Sequence, residues 1–186
     1  MREVLITLAK VEEKSILRHL LELYQHDLSP LDGADLDAYG LYNYPYLEHY
    51  WTEAGRFPFL FRVVGKLAGF ALVRRISFFP EFEVGAGHEN SPQMGSSVLA
   101  LPDCMQMAEF CVLRKYRRQG VGRQAATWLF QKFPGRWEVP ELKGNLAGNA
   151  FWRSVIHEFT GGSFEEMLLD DERWRGPVQI FVSGRS

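Results

Sequence analysis

The sequence is short of cysteine, of long apolar runs and of excess charge of either sign, and each shortage narrows what the chain can be. Two cysteines, Cys104 and Cys111, among 186 residues exclude a disulfide-framed scaffold. They lack metal-ligand spacing, and no further Cys or paired His completes a zinc set, so no metal is expected. Seven residues apart on one strand, they are expected to point to opposite faces, unable to bridge. Reduced, buried thiols in a cytoplasm are the simple reading. No apolar run approaches the ~20 residues of a membrane helix, and the stretch after Met1 lacks the apolar core of a signal peptide. A cytoplasmic protein without a membrane partner is therefore expected. The net charge is -2, which gives no global basic field, so nucleic acid is not an expected partner.

What is present is a globular composition, 46% hydrophobic and 24% charged, enough to fill one core. Residues 1–186 are read as one domain, since two would be cramped. Aromatics crowd between Tyr39 and Phe61, a segment expected to be buried or ligand-lining. Basic residues cluster at Arg114, Lys115, Arg117, Arg118 and Arg123, a patch suited to a small polyanion.

Val4 to Leu8 reads as a strand. Glu12 to His26 has helical periodicity, with Ser29-Pro30 and Asp32-Gly33 as stops. Leu36 to Trp51 is read as a loop and a short helix. Phe57 to Val64 and Leu67 to Ile76 read as a β-hairpin turning at Gly65-Lys66. Phe79 to Leu101 is read as a long irregular excursion. Met105 to Leu113 is β-like, and Val121 to Phe133 is helical with Val121, Ala125, Leu129 and Phe133 on one stripe. Arg136 to Val139 is a strand, Leu146 to Glu158 a helix, and Phe164 to Leu169 and Pro177 to Val182 close the chain as strands. This order implies an α+β mixed sheet flanked by helices.

The segment from Ala108 to Arg123 sets a strand, a basic turn, two glycines and a helix start in succession. A helix start leaves amide N–H groups unpaired and carries the positive end of the dipole, so a phosphate can sit there. Gly120 and Gly122 lack a Cβ, which lets an anion approach the backbone. Arg117, Arg118 and Arg123 add positive charge around the spot.

Here the sequence resembles the GNAT superfamily of acyl-CoA N-acyltransferases. That family's signature stands as Arg117-Arg118-Gln119-Gly120-Val121-Gly122, after the apolar strand ending at Val112. Downstream, Asn145 is followed by Phe151-Trp152 on a helix, a second family feature, and the element order matches over nearly the whole chain. The resemblance implies a GNAT-like fold: a central, mostly antiparallel sheet splayed at the cofactor strand, with helices on both faces. It implies acetyl-CoA as co-substrate and a primary amine of a small molecule or peptide as acceptor. Backbone groups of Phe110, Cys111 and Val112 then pair with the pantetheine arm. Residues Arg117 to Arg123, Gln119, Gly120, Val121 and Gly122 among them, hold the pyrophosphate. Asn145 and Trp152 also fall at the cofactor.

Many family members carry a Tyr acid at the second aromatic position, where this chain has Trp152. An indole N–H donates a hydrogen bond but releases no proton at useful pH. Either another residue protonates the leaving thiolate, or it leaves as the anion, or the chain is an acyl-CoA-binding sensor without turnover. An aromatic pair on a helix also serves a core as readily as a site. Glu109 is the candidate base, expected on the strand face opposite Ala108 and Phe110; the alternative is a carboxylate paired with a basic neighbour. Tyr24 and Asp27, with Tyr42 and Tyr46 from an aromatic stretch that also includes Tyr44, Tyr50 and Trp51, come from the helical region that, by the resemblance, walls the acceptor site, and are its candidate residues. A core layer with hydroxyls reaching solvent would read the same way. Gly85-Ala86-Gly87 lacks a third glycine, neither His88-Glu89 nor His157-Glu158 has a second His at metalloprotease spacing, and no phosphate loop or nucleophile elbow exists. Edge strands near the C-terminus can pair between copies, which allows a homodimer.

Overall fold

The computed structural model describes residues 3–76, 104–172 and 174–184. The excursion at Phe79 to Leu101, with Gly85-Ala86-Gly87 and His88-Glu89, lies outside the described residues. The chain runs β1 (Val4–Leu8), a 3-10 turn (Val11–Glu13), α1 (Lys14–Asp32), α2 (His49–Thr52), β2 (Arg56–Val63), β3 (Lys66–Ile76) and β4 (Cys104–Val112). A second 3-10 turn (Arg114–Tyr116), α3 (Val121–Lys132), β5 (Gly135–Pro140), α4 (Leu146–Thr160), β6 (Phe164–Asp170) and β7 (Arg175–Ser183) follow.

Among the described residues the strands form one seven-stranded sheet in the order β1-β2-β3-β4-β5-β7-β6. Neighbours are antiparallel except β4 and β5, which are parallel and joined through α3, as a parallel crossover requires. The central strands carry unbroken apolar runs because both faces are covered. Phe59 and Phe61 of β2 face the core under α3 and α4, with Leu129, Phe130, Trp137 and Trp152. Leu60 points the other way, with Phe70 and Leu72, onto Leu17, Leu20 and Leu21 of α1. Each fully buried large side chain contributes about 1.5–3 kcal/mol. The mostly antiparallel sheet with helices on both faces is the expected GNAT-like architecture.

Three local expectations need correction. Helix α1 does not stop at Ser29-Pro30; it runs to Asp32 and ends on Gly33, which is left-handed at φ 75° with its N–H on the Ser29 carbonyl at 3.0 Å. Pro30 has no N–H for the His26 carbonyl, and the Ser29 hydroxyl donates to that carbonyl instead, at 3.1 Å. The hairpin turns at Val64-Gly65, not Gly65-Lys66: Val63 pairs with Lys66, and the two loop residues have φ of 49° and 72°. A two-residue loop with both φ positive is the hairpin turn whose twist suits the strands.

The third correction concerns β4. Leu72 pairs with Glu109 but Val73 pairs with Met107, so Ala108 is an extra residue, a β-bulge. The bulge resets side-chain parity. Met105 and Met107 face the α3/α4 core, while Ala108 and Cys111 lie on the α1 side. Glu109 is on that α1 side too, within hydrogen-bond reach of Tyr24. It is therefore opposite Phe110 as expected, but on the same side as Ala108. Parity also puts Cys104 and Cys111 on one face rather than opposite faces. Both are free and buried, and their separation along the strand still prevents a bridge.

Val64 is β-branched, 82% exposed and left-handed, so strain there is not offset by packing. Val64→Asn is expected to stabilise the fold by about 1 kcal/mol, read as a melting temperature ~2–4 °C higher. An unchanged or lower melting temperature would count against the turn.

Candidate active site

Strands β4 and β5 pair only at Cys104–Gln106 with Arg136–Glu138 and then part. Beyond Gln106, β4 has no strand on that edge among the described residues, and a cavity of about 730 Å3 opens beside it. Leu113 N–H bonds the Ala68 carbonyl at 2.9 Å, so Leu113 and, by alternation, Cys111 direct their backbone groups to β3. Phe110 and Val112 direct theirs to the open edge. The Val112 carbonyl already accepts Arg117 Nε at 2.8 Å. Of the three residues expected along the pantetheine arm, Cys111 thus has its main chain committed to the β3 ladder.

The loop into α3 contains two left-handed residues, Arg118 (φ 59°) and Gly120 (φ 80°). Gly120 is the N-cap and makes no side-chain cap; Gln124 N–H returns to its carbonyl at 3.0 Å. The amides of Val121, Gly122 and Arg123 therefore start the helix without intrahelical partners, at the positive end of its dipole. Gln119 turns its amide onto the Lys115 carbonyl at 2.7 Å, and the Val121 side chain is buried in the core. A Cβ on Gly122 would meet the Phe151 ring at 3.1 Å and Val112 Cγ2 at 3.4 Å, so this glycine lets α4 pack against the start of α3.

The arginines divide. Arg114 and Arg117 both bind the Asp27 carboxylate, at 2.6 and 2.7 Å. Burial works to raise the Asp27 carboxyl, but hydrogen bonds from these two arginines outweigh it and hold it below the usual range. Arg123 pairs with Glu158. Arg118 is exposed, borders the cavity and makes no ion pair among the described residues, which leaves it the available guanidinium at the helix start.

A smaller cavity of about 250 Å3 lies against the first, and Tyr24, Phe110, Glu141, Asn145 and Trp152 border both. Glu109 borders the smaller one. Burial raises its carboxyl to about 7, opposed by hydrogen bonds from the Tyr24 and Tyr44 hydroxyls and assisted by the charge of Glu141. Tyr24 is itself pushed well above its ordinary value, first by burial and then by Glu109. Glu141 is also raised to about 7 by burial, against hydrogen bonds from Trp152 and Asn145. The indole N–H of Trp152 donates to Glu141 Oε1 at 2.8 Å, and Asn145 Nδ2 donates to Oε2 at 2.9 Å. Asn145 also caps α4, accepting Gly148 N–H at 3.0 Å. Trp152 is buried, edge-on to Phe110 at 4.9 Å.

Both carboxyls sit above the ordinary 4.5. Between that value and about 7 the unfolded chain binds fewer protons than the folded one. The pair therefore withdraws stability as pH rises through that window. Carboxyls held at such a cost in a cavity make this the candidate functional site.

Of the residues expected to meet the acceptor, Tyr24 borders both cavities and Asp27 the larger. Tyr42 and Tyr46 border neither: the Tyr42 hydroxyl lies 3.5 Å from His26 Nδ1, and Tyr46 is 52% exposed beside Tyr44 and His49. Sequence reasoning missed Glu141. The signal available was position: Glu141 follows β5 at the carboxyl end of the parallel β4/β5 pair, where α/β sheets open their ligand crevices.

The sequence matches the acetyltransferase (GNAT) family profile over residues 17–155. No curated protein sequence matches it. Among solved structures, the fold is similar to an acetyltransferase from Thermus thermophilus, at 13% identity over 98% of this chain and 99% of that one, with a TM-score of 0.62. It is also similar to the ribosomal-protein-S18-alanine N-acetyltransferase from Escherichia coli, at 14% identity over 99% and 96%, TM-score 0.57. A third is the PaiA N-acetyltransferase from Thermoplasma acidophilum in complex with coenzyme A, at 10% identity over 97% and 99%, TM-score 0.56. At these identities the likeness is one of fold. With the profile match spanning most of α1, the parted strands, the glycine-capped helix start and most of α4, the chain belongs to the acetyltransferase (GNAT) family.

Proposed function

We propose that this chain is an acetyl-CoA-dependent N-acetyltransferase that acylates a primary amine of a small molecule or peptide. The observation that carries the reading is the run of β4 along two adjoining cavities. Its open edge and the uncapped α3 start border the larger, and Glu109 borders the smaller. In this reading the pyrophosphate rests on the first-turn amides of α3 and on Arg118. The pantetheine arm adds alongside Phe110 and Val112. The acceptor enters from the smaller cavity, and Glu109 removes the ammonium proton, directly or through water. A base titrating near 7 is well matched to that task. Alignment of amine and thioester supplies much of the remaining rate. The reading assigns the protein to the cytoplasm, in keeping with the free thiols of Cys104 and Cys111. Among the described residues no helix is long and apolar enough to cross a membrane.

A second reading is an acyl-CoA-binding sensor without turnover, favoured by Trp152, whose N–H is already given to Glu141. Thiol release from acetyl-CoA across amines, polyamines, amino acids and peptides separates the two. Release with any amine eliminates the sensor; coenzyme A binding without release eliminates the transferase.

For the transferase, kcat/KM is expected to rise with pH up to about 7, since Glu109 acts when ionised. Glu109→Gln should lower kcat/KM by roughly 10²–10⁴-fold with coenzyme A affinity unchanged by calorimetry. Activity of the variant near wild type would remove Glu109 from the mechanism. On the cofactor side, Arg118→Ala should weaken coenzyme A binding about tenfold or more. Arg123→Ala, whose guanidinium is engaged by Glu158, should change it little. Gly120→Glu should abolish binding, because it sets a carboxylate and a strained left-handed residue at the anion site. Equal affinities for all three variants and the wild type would place the pyrophosphate elsewhere.

A further inference from the structure

We propose that Glu141 is the catalytic acid that protonates the departing coenzyme A sulfur, held in place by Trp152 and Asn145. The inference rests on the transferase reading and assigns the proton that this reading leaves unplaced.

The reacting carbonyl must lie where the donor cleft meets the acceptor cavity. Among the described residues that border both cavities, two carry a transferable proton, Tyr24 and Glu141. The Tyr24 hydroxyl lies within hydrogen-bond reach of Glu109, and burial with that carboxylate pushes it well above its ordinary value, so it is a poor source. Trp152 also borders both but cannot ionise.

Glu141 is fixed in main chain and side chain. Its N–H bonds the Pro177 carbonyl at 2.9 Å, and its carbonyl accepts the Trp174 indole at 3.2 Å. Each carboxyl oxygen accepts one hydrogen bond, from Trp152 at 2.8 Å and Asn145 at 2.9 Å. Both donors favour the anion that remains once the proton has gone, without blocking an O–H directed into the cavity. An ordinary carboxyl, near 4.3, would be empty of protons at neutral pH. Raised to about 7 it is part protonated, and it remains more acidic than an aliphatic thiol at about 8.5, so transfer to sulfur runs downhill.

In the transfer, the neutral amine forms the N–C bond. The C–S bond breaks, its electron pair goes to sulfur, and the Glu141 O–H proton follows. Glu109 takes the proton lost by nitrogen. Release of that proton to water and reprotonation of Glu141 cancel and reset the pair, so the one net proton released per ammonium acylated is the one Glu109 has already passed to water in forming the neutral amine.

The test is kcat against pH. The ionisable groups that share a cavity with Glu141 are Tyr24, Asp27 and Asp32 from α1, Glu109 and Cys111 from β4, and Arg114, Arg117 and Arg118 from the turn before α3. The wild type should show an acidic limb from Glu109 and an alkaline limb from Glu141. Glu141→Gln should cut kcat by about 100-fold or more, leave coenzyme A affinity within twofold, and abolish the alkaline limb. Retention of kcat within threefold, or a fall in kcat with the alkaline limb intact, overturns the assignment. Should Glu141→Gln fail to fold, Trp152→Phe decides. It keeps the aromatic core but removes one hydrogen bond to the anion, so the alkaline limb should move up by roughly one pH unit. An unmoved limb overturns the proposal. Absence of thiol release by the wild type would sink the transferase reading itself, a distinct outcome.

Discussion

Strands β4 and β5 keep hydrogen-bond register for three residue pairs and then separate. A longer pairing would close the sheet and remove the cleft, because the backbone groups of Phe110 and Val112 would be spent on β5. No pairing at all would leave the β5-β7-β6 half of the sheet unattached to β4, and Glu141 would move with it. The lower half of the contact is therefore structural and the upper half is free for a ligand. An unpaired edge is ordinarily a hazard. Here it lies inside the molecule, flanked by α1, α3 and α4, which line the same cavity and shield it from a second chain.

The bulge at Ala108 depends on the same geometry. Without it, strict alternation would place Glu109 on the face of Met107, in the α3/α4 core, where a carboxylate would lack the Tyr24 and Tyr44 hydroxyls. One inserted residue moves the carboxylate to the α1 side while Met105 and Met107 stay in the core. Bulges re-aim side chains next to active sites for this reason. The hydrogen bonds from two phenols limit the rise in the Glu109 carboxyl without cancelling the effect of burial.

Much of this was legible in the sequence, and the illegible part has a common cause. The strands and helices show as apolar runs and three- and four-residue steps because local burial sets them. The glycine-opened helix start shows because Gly120 and its basic neighbours lie within one short segment. Long-range pairing has no such trace. Asp27 is 87 and 90 residues from Arg114 and Arg117, so nothing local says that their charge is already engaged. Gly122 reads as an opening for an anion, but α4 brings Phe151 against it. The Ala108 bulge changes a parity that sequence alternation assumes fixed. Glu141 sits in a loop without period and acquires meaning only when α4 delivers Trp152 and Asn145 to its two oxygens.

Trp152 links these threads. Its ring closes the core against Phe110 and Phe151, and its N–H reaches the carboxylate that borders both cavities. A buried indole N–H must find an acceptor or lose a hydrogen bond's worth of free energy. A half-buried carboxylate must find donors or become neutral. Each group solves the other's problem. The solution is incomplete for Glu141, whose carboxyl remains raised to about 7 despite two donors, because burial outweighs them. That residual imbalance leaves the Glu141 carboxyl part protonated at neutral pH where the two cavities meet, where an ordinary surface carboxylate would hold almost no proton.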